Sequence, residues 1–479
     1  MNIEREEFSN DKNIPNYITA KFNCNEYFLM GNLLAYSYKF SDKDGFYYQN
    51  ADATEQNNID EFMQIAKEFP EIQTLINYAT DFDKQPSNEA RNIFANNMTK
   101  RLERLTTVRN DEDFIQVEGK KVKDAFEKLK NTEFYKSMLK KTIEHQEDLR
   151  TKFENYKQIA NKALEPILQN LDKKEIETVV LPPQLFGDPY AIKTHGNQVT
   201  TLASYPEEFN ESIPNLDVVS MIHEIMHTYI PADESINFDN TVQEDVYKVV
   251  NHCLVELSSN GELGIKIANL GDYFKTPMHQ EILRNRTTGE VLKKEDYIRA
   301  GISFSKELEF ESLTEGFKGS KVITGKDELS NDKIRAIVYP YFLAFKNRNE
   351  KNPKQSILSD INRDKEAITD IYGQEFYKRL ENQEYLDKVL HDIENTANII
   401  ELNDVIAKDA LGIEVHRNKT QQKFEESNLQ SDLYELSTEA TISGFNEMSK
   451  NVRDLEKSNK QEQILESERT WYWWWLINL

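Results

Sequence analysis

Residues that end helices are scarce along this chain. Its 479 residues include 16 glycines and 13 prolines, where average usage would give about 34 and 24. A chain so poor in residues that break regular structure suits long uninterrupted elements, and a mainly α protein is expected. Hydrophobic residues make up 38% and aromatic residues 11%, enough to build packed cores and to argue against wholesale disorder. Single cores stop growing near about 250–300 residues, so a chain of this length is expected to build more than one.

The charge balance excludes one broad class of partner. With 83 Asp and Glu against 59 Lys and Arg, the formal net charge is −24, whereas general nucleic-acid binding rests on an excess of cations. Two cysteines, Cys24 and Cys253, supply neither a disulfide framework nor CxxC metal spacing. The opening Met1-Asn2-Ile3-Glu4-Arg5-Glu6-Glu7 lacks the basic-then-apolar pattern of a signal peptide. No stretch reaches the roughly 20 apolar residues of a spanning helix. The expectation is a soluble, cytoplasmic protein with no transmembrane segment.

Four regions follow from the texture of the chain. Residues 1–175 read as helical: Phe134, Met138, Leu149, Phe153, Tyr156, Ala160, Leu164 and Ile167 recur mostly at three- to four-residue steps, one stripe of a long amphipathic helix that Pro166 bends or shortens at its end. Apolar clusters around Tyr27–Tyr38 and Ile65–Ile76 suggest helices packed against it. Residues 176–332 change character. Glu177–Leu181 is short and β-branched, and Tyr190–Lys193 and Val199–Leu202 flank His195-Gly196-Asn197, which reads as two strands around a turn in a small antiparallel sheet. A helix capped at Asn215 should end before Pro231, and a second should run from Thr241 to Asn260. Thr287-Thr288-Gly289 resembles a hairpin turn. Residues 333–470 are helical again and end in the charge-rich Asp454–Arg469, a solvated face or loose tail. Residues 471–479 hold all four tryptophans, Trp471, Trp473, Trp474 and Trp475. Too short to span a bilayer, this tail suits a groove on the body, a membrane surface or a partner.

The chemistry concentrates in Ser220-Met221-Ile222-His223-Glu224-Ile225-Met226-His227-Thr228-Tyr229. Histidines four apart on a helix share a face, so His223 and His227 can converge on one Zn²⁺ at about 2.0–2.1 Å. Glu224 stands about 100° round the helix, beside such an ion rather than on it. That is where HExxH chemistry needs a carboxylate: the ion lowers the pKa of a water, and the carboxylate takes its proton during attack on a carbonyl. With eight histidines in the chain, a chance HExxH has a probability of about 1%. The flanks of the motif carry no charge, as a buried active-site helix demands. The bland alternative is a pair of hydrogen-bonded core histidines beside an unrelated glutamate.

Through His223, Glu224 and His227 the chain resembles the zincin metallopeptidases. The metzincin extension fails, because Ile230 and Asp233 stand where that group has Gly and His; Asp233 as a ligand would also have to accommodate Pro231. The resemblance is closer to the gluzincins, which place a glutamate ligand on a second helix. In Glu244–Leu257 the apolar face of Val246, Val250, Cys253 and Leu257 centres at about 10° with Val246 at zero, Glu256 falls at about 280°, His252 at about 240°, and Glu244 and Glu262 at about 160°, pointing away. A carboxylate at the edge of a core face is costly unless paired or metal-bound, so Glu256 is the expected third ligand and His252 its rival, or a neighbour that orients it. The resemblance further implies that residues near Tyr190–Leu202 line the cleft. His195 reads as turn decoration, and Tyr229, Tyr339 and Tyr341 as core residues.

These readings combine into a mainly α protein with a small β-sheet (α+β), a zincin-like core flanked by helical regions. The expected function is that of a zinc metallopeptidase acting on a peptide or protein substrate. Zn²⁺ would be held by His223, His227 and Glu256, with Glu224 as general base. A rival keeps the fold as a non-catalytic scaffold that binds partners through its helical regions and Trp-rich tail.

Overall fold

The computed structural model describes residues 16–44, 46–69, 117–172, 174–181, 190–193, 199–203, 215–231, 236–274, 292–302 and 331–417, with single positions and pairs between them. These residues are mostly helical with a small sheet. The principal elements in chain order are β1 Ile18–Asn23, α1 Glu26–Ala35, α2 Ala53–Ala66, α3 Val117–Asn131, α4 Glu133–Leu168, β2 Lys174–Val180, β3 Tyr190–Lys193 and β4 Val199–Ala203. They continue as α5 Leu216–Tyr229, α6 Thr241–Glu256, α7 Glu262–Ile267, α8 Asn331–Asn347, α9 Pro353–Arg363, α10 Gln383–Asp392 and α11 Ile399–Val405. None of the helices among the described residues is long and apolar enough to cross a membrane. Asp454–Arg469, the four tryptophans and Thr287-Thr288-Gly289 lie outside the described residues.

α4 is the long helix that the apolar stripe predicts. Thr132 caps it, its hydroxyl accepting from the Tyr135 amide at 3.3 Å, and Pro166, which has no N–H to give to the carbonyl four residues back, stands in its final turn. Its 36 residues serve two cores. Phe134, Tyr135 and Met138 pack with Phe62, Phe126 and other residues of α1–α3. Leu149, Phe153, Leu164 and Ile167 belong to the second core, where α4 meets α5, α7 and α8.

The sheet has the order β1-β2-β4-β3. β3 and β4 are antiparallel as expected, while β1 and β4 both run parallel to β2. β1 comes from within the stretch expected to be wholly helical. Asn161 of α4 pins it, accepting from the Ile18 amide at 2.8 Å and donating to the Ile18 carbonyl at 3.3 Å. A side-chain clamp across that distance in sequence leaves no local signal.

α5 begins where the sequence places it, though not by the predicted means. Asn215 adopts a left-handed conformation, φ 64°, and makes no cap bond. Its amide donates instead to the Tyr156 hydroxyl at 3.0 Å and the Ile267 carbonyl at 3.3 Å. Asp217, 1% exposed in the first turn, pairs with Lys152 of α4 at 2.9 Å. A carboxylate at a helix N-terminus also meets the positive end of the helix dipole, so the pair fixes α5 against α4.

α6 starts at Asn240, whose side chain accepts from the Gln243 amide at 3.0 Å. It does not run as regular α-helix to Asn260. At Leu257–Gly261 the chain makes a π turn and then re-enters α-helix as α7. A π turn closes i→i+5 bonds and rotates every later residue relative to a straight helix. Glu262, which a straight wheel points away from the core, is therefore 2% exposed and paired with Lys266 at 2.8 Å and with Lys346 of α8. Burial pushes its carboxyl up, but the two ammonium groups outweigh that and hold it below the usual range.

The π turn ends at Gly261, where an added Cβ would overlap the ring of Tyr273. Tyr273 is fully buried against Tyr339 and Phe342 and has little room to move. Gly261→Ala should therefore destabilise the fold by about 1–3 kcal/mol, the usual range for overpacking, measurable as a lowered urea midpoint with an unchanged m-value.

Candidate metal centre

α5 is buried on nearly every side: Val218, Val219, Met221, Ile222, Ile225 and Met226 are all 0% exposed. Within this apolar helix lie His223, Glu224 and His227, the first two buried and His227 partly so. Residues 223 and 227 face α6, which presents His252 and Glu256 one turn apart, and beyond them Ser259 of the π turn. The spacings of four and three residues put these three on one stripe.

One ligand nitrogen each from His223, His227 and His252 lies within 4.8 Å of the other two. Ring centroids are 4.9 Å apart for His223–His227, 5.3 Å for His227–His252 and 5.5 Å for His223–His252. Three imidazoles bound at about 2.0–2.1 Å to one tetrahedral ion would have ring centres about 5 Å apart. The ring spacing is of that order, and a cluster of this kind could hold a metal ion.

The surroundings set the state of the rings. Burial and the neighbouring His252 push His227 down to about 3, so its imidazole is neutral and offers a lone pair throughout the ordinary pH range. His223 Nδ1 lies 3.0 Å from the Ser259 hydroxyl. Behind His252 stands Glu256, 1% exposed, with Oε1 3.8 Å from His252 Nδ1.

Of the residues singled out in the sequence, the structure brings His223, His227 and His252 together, with Glu224 adjacent on α5. The Glu256 carboxylate flanks His252, and the convergent group found among the described residues consists of the three histidines. Glu244 pairs with Lys248 at 2.8 Å on the outer side of α6. His195 and Asp233 lie outside the described residues. Tyr229 donates to the Tyr17 carbonyl at 2.5 Å, Tyr339 to Asp364 at 2.6 Å and Tyr341 to Asp392 at 2.9 Å, so all three are built into the core. Ser259 is the residue that sequence reasoning missed. Its only signal was its position three residues beyond Glu256, on the stripe that begins at His252.

Comparison with protein-family models, with curated proteins and with solved structures finds no match for this chain.

The depressed His227 value has a consequence for stability. Between an unfolded value near 6.5 and the folded value near 3, the unfolded chain binds the proton that the folded protein refuses, so stability falls as pH drops through that window. In metal-free protein, His227→Gln should flatten the decline in unfolding free energy between about pH 6.5 and 4. A wild-type slope retained in the variant would contradict this origin.

Proposed function

We propose that this protein is a metal-dependent hydrolase of the zincin type, cleaving peptide bonds. The observation that carries the reading is the convergence of three imidazoles from α5 and α6 at spacings suited to one ion, with Glu224 next to the first of them. His223, His227 and His252 are assigned as the residues that hold it. Zn²⁺ is the choice that imidazole donors and HExxH spacing favour. Bound there, the ion would supply Lewis acidity, polarising a carbonyl and easing deprotonation of a water.

The remaining work falls to the chain's own groups. Glu224 accepts the proton of the attacking water and returns it to the leaving amine, as a buried carboxylate in a dry helix face can. The apolar surroundings of α5 exclude bulk water and strengthen each electrostatic contact. Glu256 orients His252 from behind, in the manner of a carboxylate that holds a ligand histidine.

A second reading retains Glu256 as third ligand and makes His252 its neighbour. The near-complete burial of the carboxylate favours it, because a buried carboxylate needs a cation close by. Elemental analysis separates the two. Wild type should carry about one zinc per chain, lost in His223→Ala. If His252 is the ligand, His252→Ala loses the metal and Glu256→Gln keeps it with affinity reduced about 10–100-fold; the opposite pattern assigns Glu256.

Catalysis is tested on Glu224. Glu224→Gln should retain zinc and lose at least about 10²-fold in kcat on a peptide library, the usual contribution of general acid–base catalysis. Full activity in that variant would refute the mechanism, and wild type without zinc would favour the non-catalytic scaffold.

A further inference from the structure

We propose that Ser259 is a positioning residue for His223, holding its imidazole in the tautomer protonated at Nδ1 so that Nε2 carries the lone pair turned to the ion. The inference rests on the metal-site reading above and adds how the site is prepared before metal arrives. A serine hydroxyl has one proton. The Ser259 oxygen lies 2.7 Å from the Val255 carbonyl, which can only accept, so the hydroxyl proton is committed there. What Ser259 presents to His223 Nδ1, 3.0 Å away, is a lone pair. A ring nitrogen facing a lone pair at that distance must carry hydrogen, and in the neutral ring the other nitrogen then bears the lone pair. Ser259 is 0% exposed and His223 is 7% exposed, so water competes little for either bond.

The backbone explains how a serine reaches this place. Ser259 sits in the middle of the π turn Leu257–Gly261, and single π turns inside α-helices recur at functional sites. The turn keeps Ser259 on the stripe of His252 and Glu256 while rotating Glu262 away toward Lys266 and Lys346. Two opposed demands on one continuous helix, a hydroxyl at the histidines and a carboxylate at the lysines, are met by this one irregularity.

The test uses the full chain and two readouts. Histidine ¹⁵N shifts of metal-free protein, with the His223 signal assigned by its loss in His223→Gln, should show Nδ1 protonated and Nε2 unprotonated. In Ser259→Ala that signal should move toward a mixture of tautomers, and Ser259→Thr, which restores a hydroxyl, should move it back. Titration with Zn²⁺ alone against a chromophoric chelator should find affinity weakened about 10–100-fold in Ser259→Ala and recovered in Ser259→Thr. An Nε2-protonated His223 in the wild type, or an unchanged Zn²⁺ affinity in Ser259→Ala, overturns the proposal. Wild type that binds no Zn²⁺ overturns the metal reading instead, and the tautomer measurement still decides the role of Ser259.

Discussion

A helix surrounded by protein on nearly all sides must satisfy its polar groups from within, and α5 carries two imidazoles and a carboxylate into such a setting. Isolated polar groups buried without partners cost several kcal/mol each, of order 2–7, so the elements around α5 are arranged to meet them. α6 brings His252 and Glu256 to the same face, the π turn brings a hydroxyl to His223 Nδ1, and Lys152 of α4 neutralises Asp217 at the helix entrance. α6 and the turn that continues it are thus fitted to one polar patch inside an apolar helix, and α4 to that helix's entrance. The same desolvation that makes the patch expensive leaves His227 neutral and encloses Glu224 beside it.

Much of this was legible in the residues. The scarcity of Gly and Pro pointed to a helical protein, the stripe from Phe134 to Ile167 marked α4, and the spacing of His223 and His227 put two rings on one face. Periodicity reports local geometry well, and these features are local. What it could not report was anything set by contacts distant in sequence. β1 lies along β2 and is held at Ile18 by Asn161, a residue remote in sequence. Asn215 marks the start of α5, but its amide is drawn to Tyr156 and Ile267 rather than to the helix it precedes.

The helical wheel failed at one identifiable place. It assumes an unbroken advance of about 100° per residue, which the π turn at Leu257–Gly261 interrupts. Positions before the turn kept their predicted faces: His252 and Glu256 both lie toward α5. Glu262, after it, did not, and instead of facing outward it is sealed between Lys266 and Lys346. Nothing in Leu257-Ser258-Ser259-Asn260-Gly261 announces such a turn, beyond a glycine small enough to let Tyr273 lie against it.

The reach of α4 through both cores carries an implication for how the molecule comes apart. A rigid rod shared by two packed bodies, with the strand Ile18–Asn23 laced back across it, leaves no natural seam at which one half can melt while the other stays intact. Loss of order among the amino-terminal helices would travel along the rod to Lys152 and slacken the anchorage of the histidine-bearing segment. Limited digestion should then yield few long-lived halves, and thermal loss of the far end and of the histidine cluster should share one transition.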